Sequence, residues 1–563
     1  MSDGNKREPP EARRWIVRTL IAVPVVMLGV LAWRPDTAWL VRAQCRLLYS
    51  SQNTYIALRE WRQETVSSPD PEWFRNRLEQ VARQHPDDYL IQLAWTLEES
   101  HPSEVNLRDL LPRFANRPAL LAHILRYDTM RRVRIRRMEE WMLYPPGERP
   151  NPQSLTPPHP QDLAAYDQVA SEGERLDPDN AYFPLMRAVG LFAARRDTEA
   201  IEAIKRASRK PRWNDYTSEE AEAHLHLLTT AFGRQPAISQ FLNARAVIEP
   251  HWAGIRSLTR MARTFAFEKE KRGEQREAAS LRLAMLRCAS LIRAQASTDV
   301  GVLVALAVGT VAISPVAQAH SQEPPEQRAR RAVQQFVATL RRQGKDADAS
   351  WAQSEFSAME EARAIIRAGT QPERWLRMPL ALVRAWMVNM LLLFSLSGVM
   401  ALWLVYALIA RTGLRQGITS YIVLPVTLLI VGVLFSLSSW ADFPAQTLSA
   451  LAYMVEAEGS QPTFVIMPPP LFRTAAAFAV VFLLLMLVTA IGVVGLIRGR
   501  EPSVALVDGI RRGGLPIMAV LLVLYVFSVL HTASLEAAWQ HDLQALREHA
   551  GKYYARQLGK TWR

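Results

Sequence analysis

Four apolar runs in the last third of the chain, 385–410, 418–438, 474–497 and 515–533, constrain the fold more than any other feature. A bilayer core of roughly 30 Å is crossed by about 20 apolar residues of helix. Water does not reach that core, so a crossing segment must satisfy its own backbone hydrogen bonds, as a helix does. The runs therefore predict four transmembrane helices. A fifth run, 16–33, follows a basic start and lies between Trp15 and Trp33. It reads as an uncleaved transmembrane signal anchor, since no A-x-A cleavage pattern follows it. A cleaved secretory signal is the rival reading, and either one exports what comes after.

Loop charges give the spans a direction, because Lys and Arg favour the cytoplasmic side. Lys6, Arg7, Arg13 and Arg14 precede the first run. Arg411 and Arg415 lie between the second and third, and Arg498, Arg500, Arg511 and Arg512 between the fourth and fifth. The loop 439–472 has no Lys or Arg and holds Asp442, Glu456 and Glu458. These facts agree on a cytoplasmic N-terminus (1–15), an extracytoplasmic domain (34–384), an extracytoplasmic loop (439–472) and an extracytoplasmic C-terminal helix (534–563). The run 300–319 is uncharged but rich in Ala and Gly and broken by Pro315. Making it a span would place the basic loop outside, so it reads as a helix packed inside the exported domain.

The formal net charge of +13 invites a nucleic-acid reading. Divided by region it is +2 for 1–18, +6 for 19–383 and +5 for 384–563, so the large middle region is close to balanced. The basic residues are 59 Arg and only 8 Lys, a skew that fits a GC-rich bacterial genome. No nucleic-acid partner is expected. The expected location is the bacterial inner membrane, with the lipid bilayer as one partner.

Between 34 and 384 no β alternation persists, and apolar residues recur at helical spacing. Leu78, Val81 and Ala82 form one stripe, Ile201, Ile204 and Ala207 another, and Trp351, Phe356 and Met359 a third. The expectation is an all-α domain. The stretch Leu176-Asp177-Pro178-Asp179-Asn180-Ala181-Tyr182 is followed by Ala188-Val189-Gly190-Leu191 and Asp197-Thr198-Glu199-Ala200. A Pro-bearing turn, a small residue at a helix contact and an acidic turn before a second helix, here Leu176, Pro178, Asn180, Gly190 and Ala200, resemble a tetratricopeptide repeat. An echo stands at Gln84–Tyr89. The resemblance covers about 40 residues well and implies a TPR-like α-solenoid with a concave face for protein partners. Residues 144–160 hold seven prolines and read as a linker or extended surface loop.

Candidate sites are few. Arg131, Arg132, Arg134, Arg136 and Arg137 form a cluster suited to an anionic partner, or else a solvated helix face balanced by Glu139 and Glu140. His224 and His226 stand two apart on a helix and point away from each other, so they cannot share a metal. Cys45 and Cys288 have no metal-type spacing. No P-loop, dinucleotide, zincin, nucleophile-elbow or EF-hand pattern occurs. Neither cofactor nor metal is expected, and no catalytic residue stands out. The membrane runs hold Asn389, Ser395, Ser397, Thr427, Thr489 and Ser528 but nothing ionised at depth, which disfavours ion coupling. The sequence points to a membrane-anchored interaction protein. A subunit of a transporter or envelope-polymer export complex is the alternative, and an enzyme with a site at the outer membrane face is the third.

Overall fold

The computed structural model describes residues 72–99, 106–144, 146–235, 249–314, 325–371 and 502–562, with isolated positions between them. These residues are mostly helical, with no strand among them. The all-α expectation holds. The chain divides into two compact units.

The larger unit comprises 69–235, 240–371 and 541–563. It contains α1 (Glu72–Gln84), α2 (Tyr89–Glu99), α3 (Pro118–Arg131), α4 (Pro160–Leu176), α5 (Tyr182–Ala193), α6 (Asp197–Ala207) and α7 (Thr217–Phe232). It continues with α8 (His251–Lys271), α9 (Gln275–Gln295), α10 (Asp299–Ile313), α11 (Pro325–Arg342) and α12 (Asp346–Gly369), and it ends on α14 (Ala550–Gln557). Its centre is α5, where Tyr182, Phe183, Leu185, Met186, Ala188, Val189, Leu191 and Phe192 are all buried. A helix apolar on every side needs neighbours on every side, and α3, α4, α6 and α8 surround this one. Close approach depends on small residues. A Cβ on Gly173 of α4 would lie 2.1 Å from the Phe183 ring, and one on Gly190 of α5 would lie 2.7 Å from the Tyr166 ring. The run from 300 forms α10, which packs on α8 and α9 and stops at Ile313.

Two local features differ from the sequence reading. The segment after Arg131 leaves the helix, and 133–137 has no regular secondary structure, with Arg137 itself extended. Side chains then alternate, so Val133, Ile135 and Arg137 are buried while Arg132 and Arg134 are exposed. The prolines of 144–160 interrupt the helices, as their chemistry leads one to expect. Pro146–Glu148 and Pro152–Ser154 form single 3-10 turns, and Pro160 starts α4. Finally, the acids Glu139 and Glu140 are not a solvated pair. Glu140 is buried against Arg260 at 2.7 Å, and Glu139 meets Arg137 at 2.8 Å.

The smaller unit comprises 1–68, 236–239 and 372–540. Of the five expected spans, 515–533 is well described. The runs 16–33, 418–438 and 474–497 and the loop 439–472 lie essentially outside the described residues, and 385–410 is described only at scattered positions. The last span belongs to α13 (Pro502–Glu548), whose stretch Gly514–Glu548 is long and apolar enough to cross a membrane, with a mean hydropathy of 2.2 over its best window. The helix does not stop at 533 but runs on to Glu548. One face is covered, through Leu522, Tyr525, Val526, Val529, Thr532 and Glu536. Asn389 donates to Thr532 at 2.9 Å, joining two of the expected spans. Glu536 accepts the Trp386 indole N–H at 3.0 Å and the Ala237 amide at 2.8 Å. The opposite face carries Leu515, Val520, Leu524 and Phe527 outward, and from His531 onward its outward residues turn polar or small.

Candidate functional site

The larger unit places its most unusual chemistry where α3, α7, α8 and the segment before α7 meet. Two sequence stretches build it. In Trp213-Asn214-Asp215-Tyr216-Thr217 the chain turns into α7, with Tyr216 in the left-handed region at φ 58°. Asp215 closes that turn by accepting the Thr217 amide at 3.1 Å. In Glu249-Pro250-His251-Trp252 the chain enters α8, and Pro250 fixes the backbone between two ionisable residues.

Asp215, Glu249 and His251 come together here, each offering a ligand atom within 4.8 Å of the other two. His251 Nε2 lies 3.2 Å from Asp215 Oδ2, and the imidazole is fully buried. Its other ring nitrogen has no hydrogen-bond partner among the described residues. Tyr182 and Trp252 wall the imidazole at ring distances of 5.8 and 4.2 Å, and Trp213 stacks on Trp252 at 5.8 Å. The Trp252 indole and the Thr298 hydroxyl both donate to the same oxygen of Glu249, Oε2, the latter at 2.9 Å.

Behind this triad runs a fully buried ion pair. Arg126 of α3 donates to Glu220 of α7 at 2.7 Å and to the Asp215 carbonyl at 3.0 Å, and it lies 2.9 Å from His123 Nδ1. Tyr127 adds a hydrogen bond to Glu220 at 3.2 Å. Burial holds the His123 imidazole well below its usual range, and the Arg126 charge pushes it the same way. His123 is therefore neutral and accepts from Arg126.

The two carboxylates of the triad behave oppositely. Burial would raise both. At Asp215, contact with His251, the Arg126 charge and the Thr217 amide outweigh burial and hold the carboxyl at about 2. At Glu249, burial and the nearby Asp215 charge push the carboxyl up to about 7, against the donors Trp252 and Thr298. Burial also lowers His251, so its imidazole is neutral at physiological pH. The arrangement can hold a cation between two carboxylates and an imidazole, or pass a proton among them.

None of the three donors is marked in the sequence. They stand 34 and 2 residues apart, in no metal-type spacing. The residues that the sequence did mark lie elsewhere. Arg131, Arg132, Arg134, Arg136 and Arg137 do not form one surface. Arg137 is buried on Asp197, Glu139 and the Phe192 carbonyl, and Arg136 reaches the Thr156 carbonyl at 3.5 Å. Arg134 bonds the Met130 carbonyl at 2.7 Å. His226 pairs with Asp88 at 3.0 Å, while His224 is buried.

The repeat-like turn is built around Asn180, which is fully buried. Its side chain donates to Asp177 at 3.0 Å and to the Asn214 carbonyl at 2.8 Å, and accepts the Tyr182 and Asn214 amides. Leu176 ends α4, Pro178 is exposed, Gly190 meets Tyr166, and Ala200 is buried in α6. Cys288 is a buried thiol in no disulfide, and Cys45 lies outside the described residues.

No protein-family model, curated protein or solved structure matches the chain.

Proposed function

We propose that this chain is a multi-pass, membrane-anchored interaction protein that presents a helical-repeat-like domain, 34–384, outside the cytoplasm for protein–protein binding. The observation that carries the anchoring is the outward apolar face of α13. Leu515, Val520, Leu524 and Phe527 are exposed along one side, Val520 by 59% and Phe527 by 61%. A contiguous exposed apolar face is unfavourable in water and favourable in lipid. That face ends at His531, where a headgroup region would begin. The basic loops and the Lys- and Arg-free loop 439–472 support the direction of insertion. The paired helices around the turn at Asn180 support a repeat-like binding domain.

The reading is tested in two steps. The chain should remain in the membrane fraction after carbonate extraction, and Leu524→Arg should reduce insertion, at a cost of about 2.5–3.5 kcal/mol for a cation at mid-depth. Photo-crosslinkers placed on the exposed Arg132 and Arg134 should capture a specific protein at native abundance. A chain released by carbonate, or a domain that remains uncrosslinked at every exposed position tried, would overturn it.

A further inference from the structure

We propose that Asp215, Glu249 and His251 form a binding site for one divalent first-row transition-metal ion. The proposal goes beyond the interaction role and does not rest on it.

The geometry carries the argument. Two carboxylates and an imidazole supply oxygen and nitrogen atoms within 4.8 Å of one another, so small side-chain movements would bring all three to the bond lengths of about 2.0–2.2 Å that a shared ion needs. An O,O,N donor set suits ions of intermediate hardness such as Mn²⁺ and Zn²⁺. Charge balance points the same way. Arg126, the cation nearest the triad, is bound to Glu220, and both are fully buried. Arg126 thus faces three carboxylates, Glu220, Asp215 and Glu249, with a single charge that is bonded directly to Glu220. Two negative charges that close in a partly buried setting are costly unless a cation or a proton lies between them.

Two further observations point to a ligand. No described residue hydrogen-bonds Glu249 Oε1, because Trp252 and Thr298 both occupy Oε2. These donors fix the carboxylate while leaving one oxygen available, as an outer shell does around a metal ligand. His251, with no exposed surface, keeps one ring nitrogen without a partner among the described residues. The imidazole is already neutral, the form that binds a metal.

The test uses the full-length chain purified in detergent and stripped with chelator. Equilibrium dialysis against Zn²⁺ and against Mn²⁺ should give one bound ion per chain. Glu249→Gln and His251→Gln should each weaken binding by about 100-fold. Glu249→Gln keeps an acceptor for Trp252 and Thr298, so its circular dichroism should match the parent. Substitution with Co²⁺ should give a visible absorption band that His251→Gln shifts. Either no bound ion at pH 8, or binding that survives both substitutions unchanged in folded variants, would overturn the proposal.

Discussion

At the scale of single residues, the triad makes opposite demands on two carboxyls that are close in space. Glu249 titrates near 7 in the folded chain, against about 4.3 for an unfolded glutamate. The native state thus holds more protons than the unfolded state between those values, and stability falls as pH rises through that window. In the metal-free protein the loss should reach about 3 kcal/mol by pH 8. Glu249→Gln should abolish it, as denaturation midpoints at pH 5 and pH 8 would report. Arg126 is the structural counterpart. Arg126→Met leaves Glu220 buried without its partner, and should cost about 3–5 kcal/mol in chemical denaturation. Arg126→Met combined with Glu220→Leu should recover much of that loss. None of this was legible in the sequence. Asp215, Glu249 and His251 are ordinary residues in their own stretches, and only the packing of α3, α7 and α8 brings them together. The arginines of 131–137 show the converse. They look like a patch in one dimension, but a backbone that has left the helix turns Arg137 inward and Arg132 and Arg134 outward.

Helices were far more legible than sites, because periodicity is local. The stripe Leu78, Val81 and Ala82 is the buried face of α1, and Ile204 with Ala207 is that of α6. Phe356 and Met359 do the same in α12. What periodicity could not show is how close two helices lie. Gly173 and Gly190 decide that for α4 and α5, by leaving room for Phe183 and Tyr166. Gly173→Ala should cost about 1–3 kcal/mol through displacement of a fully buried ring, although alanine is the better helix former. Gly190→Ala should cost less, since its nearest approach is 2.7 Å rather than 2.1 Å. Thermal melts of the two variants would rank them. The apolar run ends near 533 while the helix does not, and α13 continues through Glu536, Trp539 and Leu543 on its covered face.

For the molecule as a whole, composition separated two kinds of chain, and the structure describes one kind well. The charged region folds into a helical body around α5, and the apolar region contributes α13 with its outward face. The turn that resembled a repeat proves to have a wider role. Residues 179–181 and 212 are tied by a parallel backbone bridge, with the Ala181 amide on the Arg212 carbonyl at 2.7 Å and the Arg212 amide on the Asp179 carbonyl at 3.2 Å. Asp177 and Asn180 add side-chain ties to Arg212, Asn214 and Tyr216. The clasp closes the ends of α5 and α6 into one loop, and it stands three residues from Asp215. In amide hydrogen exchange the α5–α6 pair should therefore open as one cooperative unit. Protection at Ala181 and Arg212 would report each opening, and Zn²⁺ held on Asp215 should slow exchange at both.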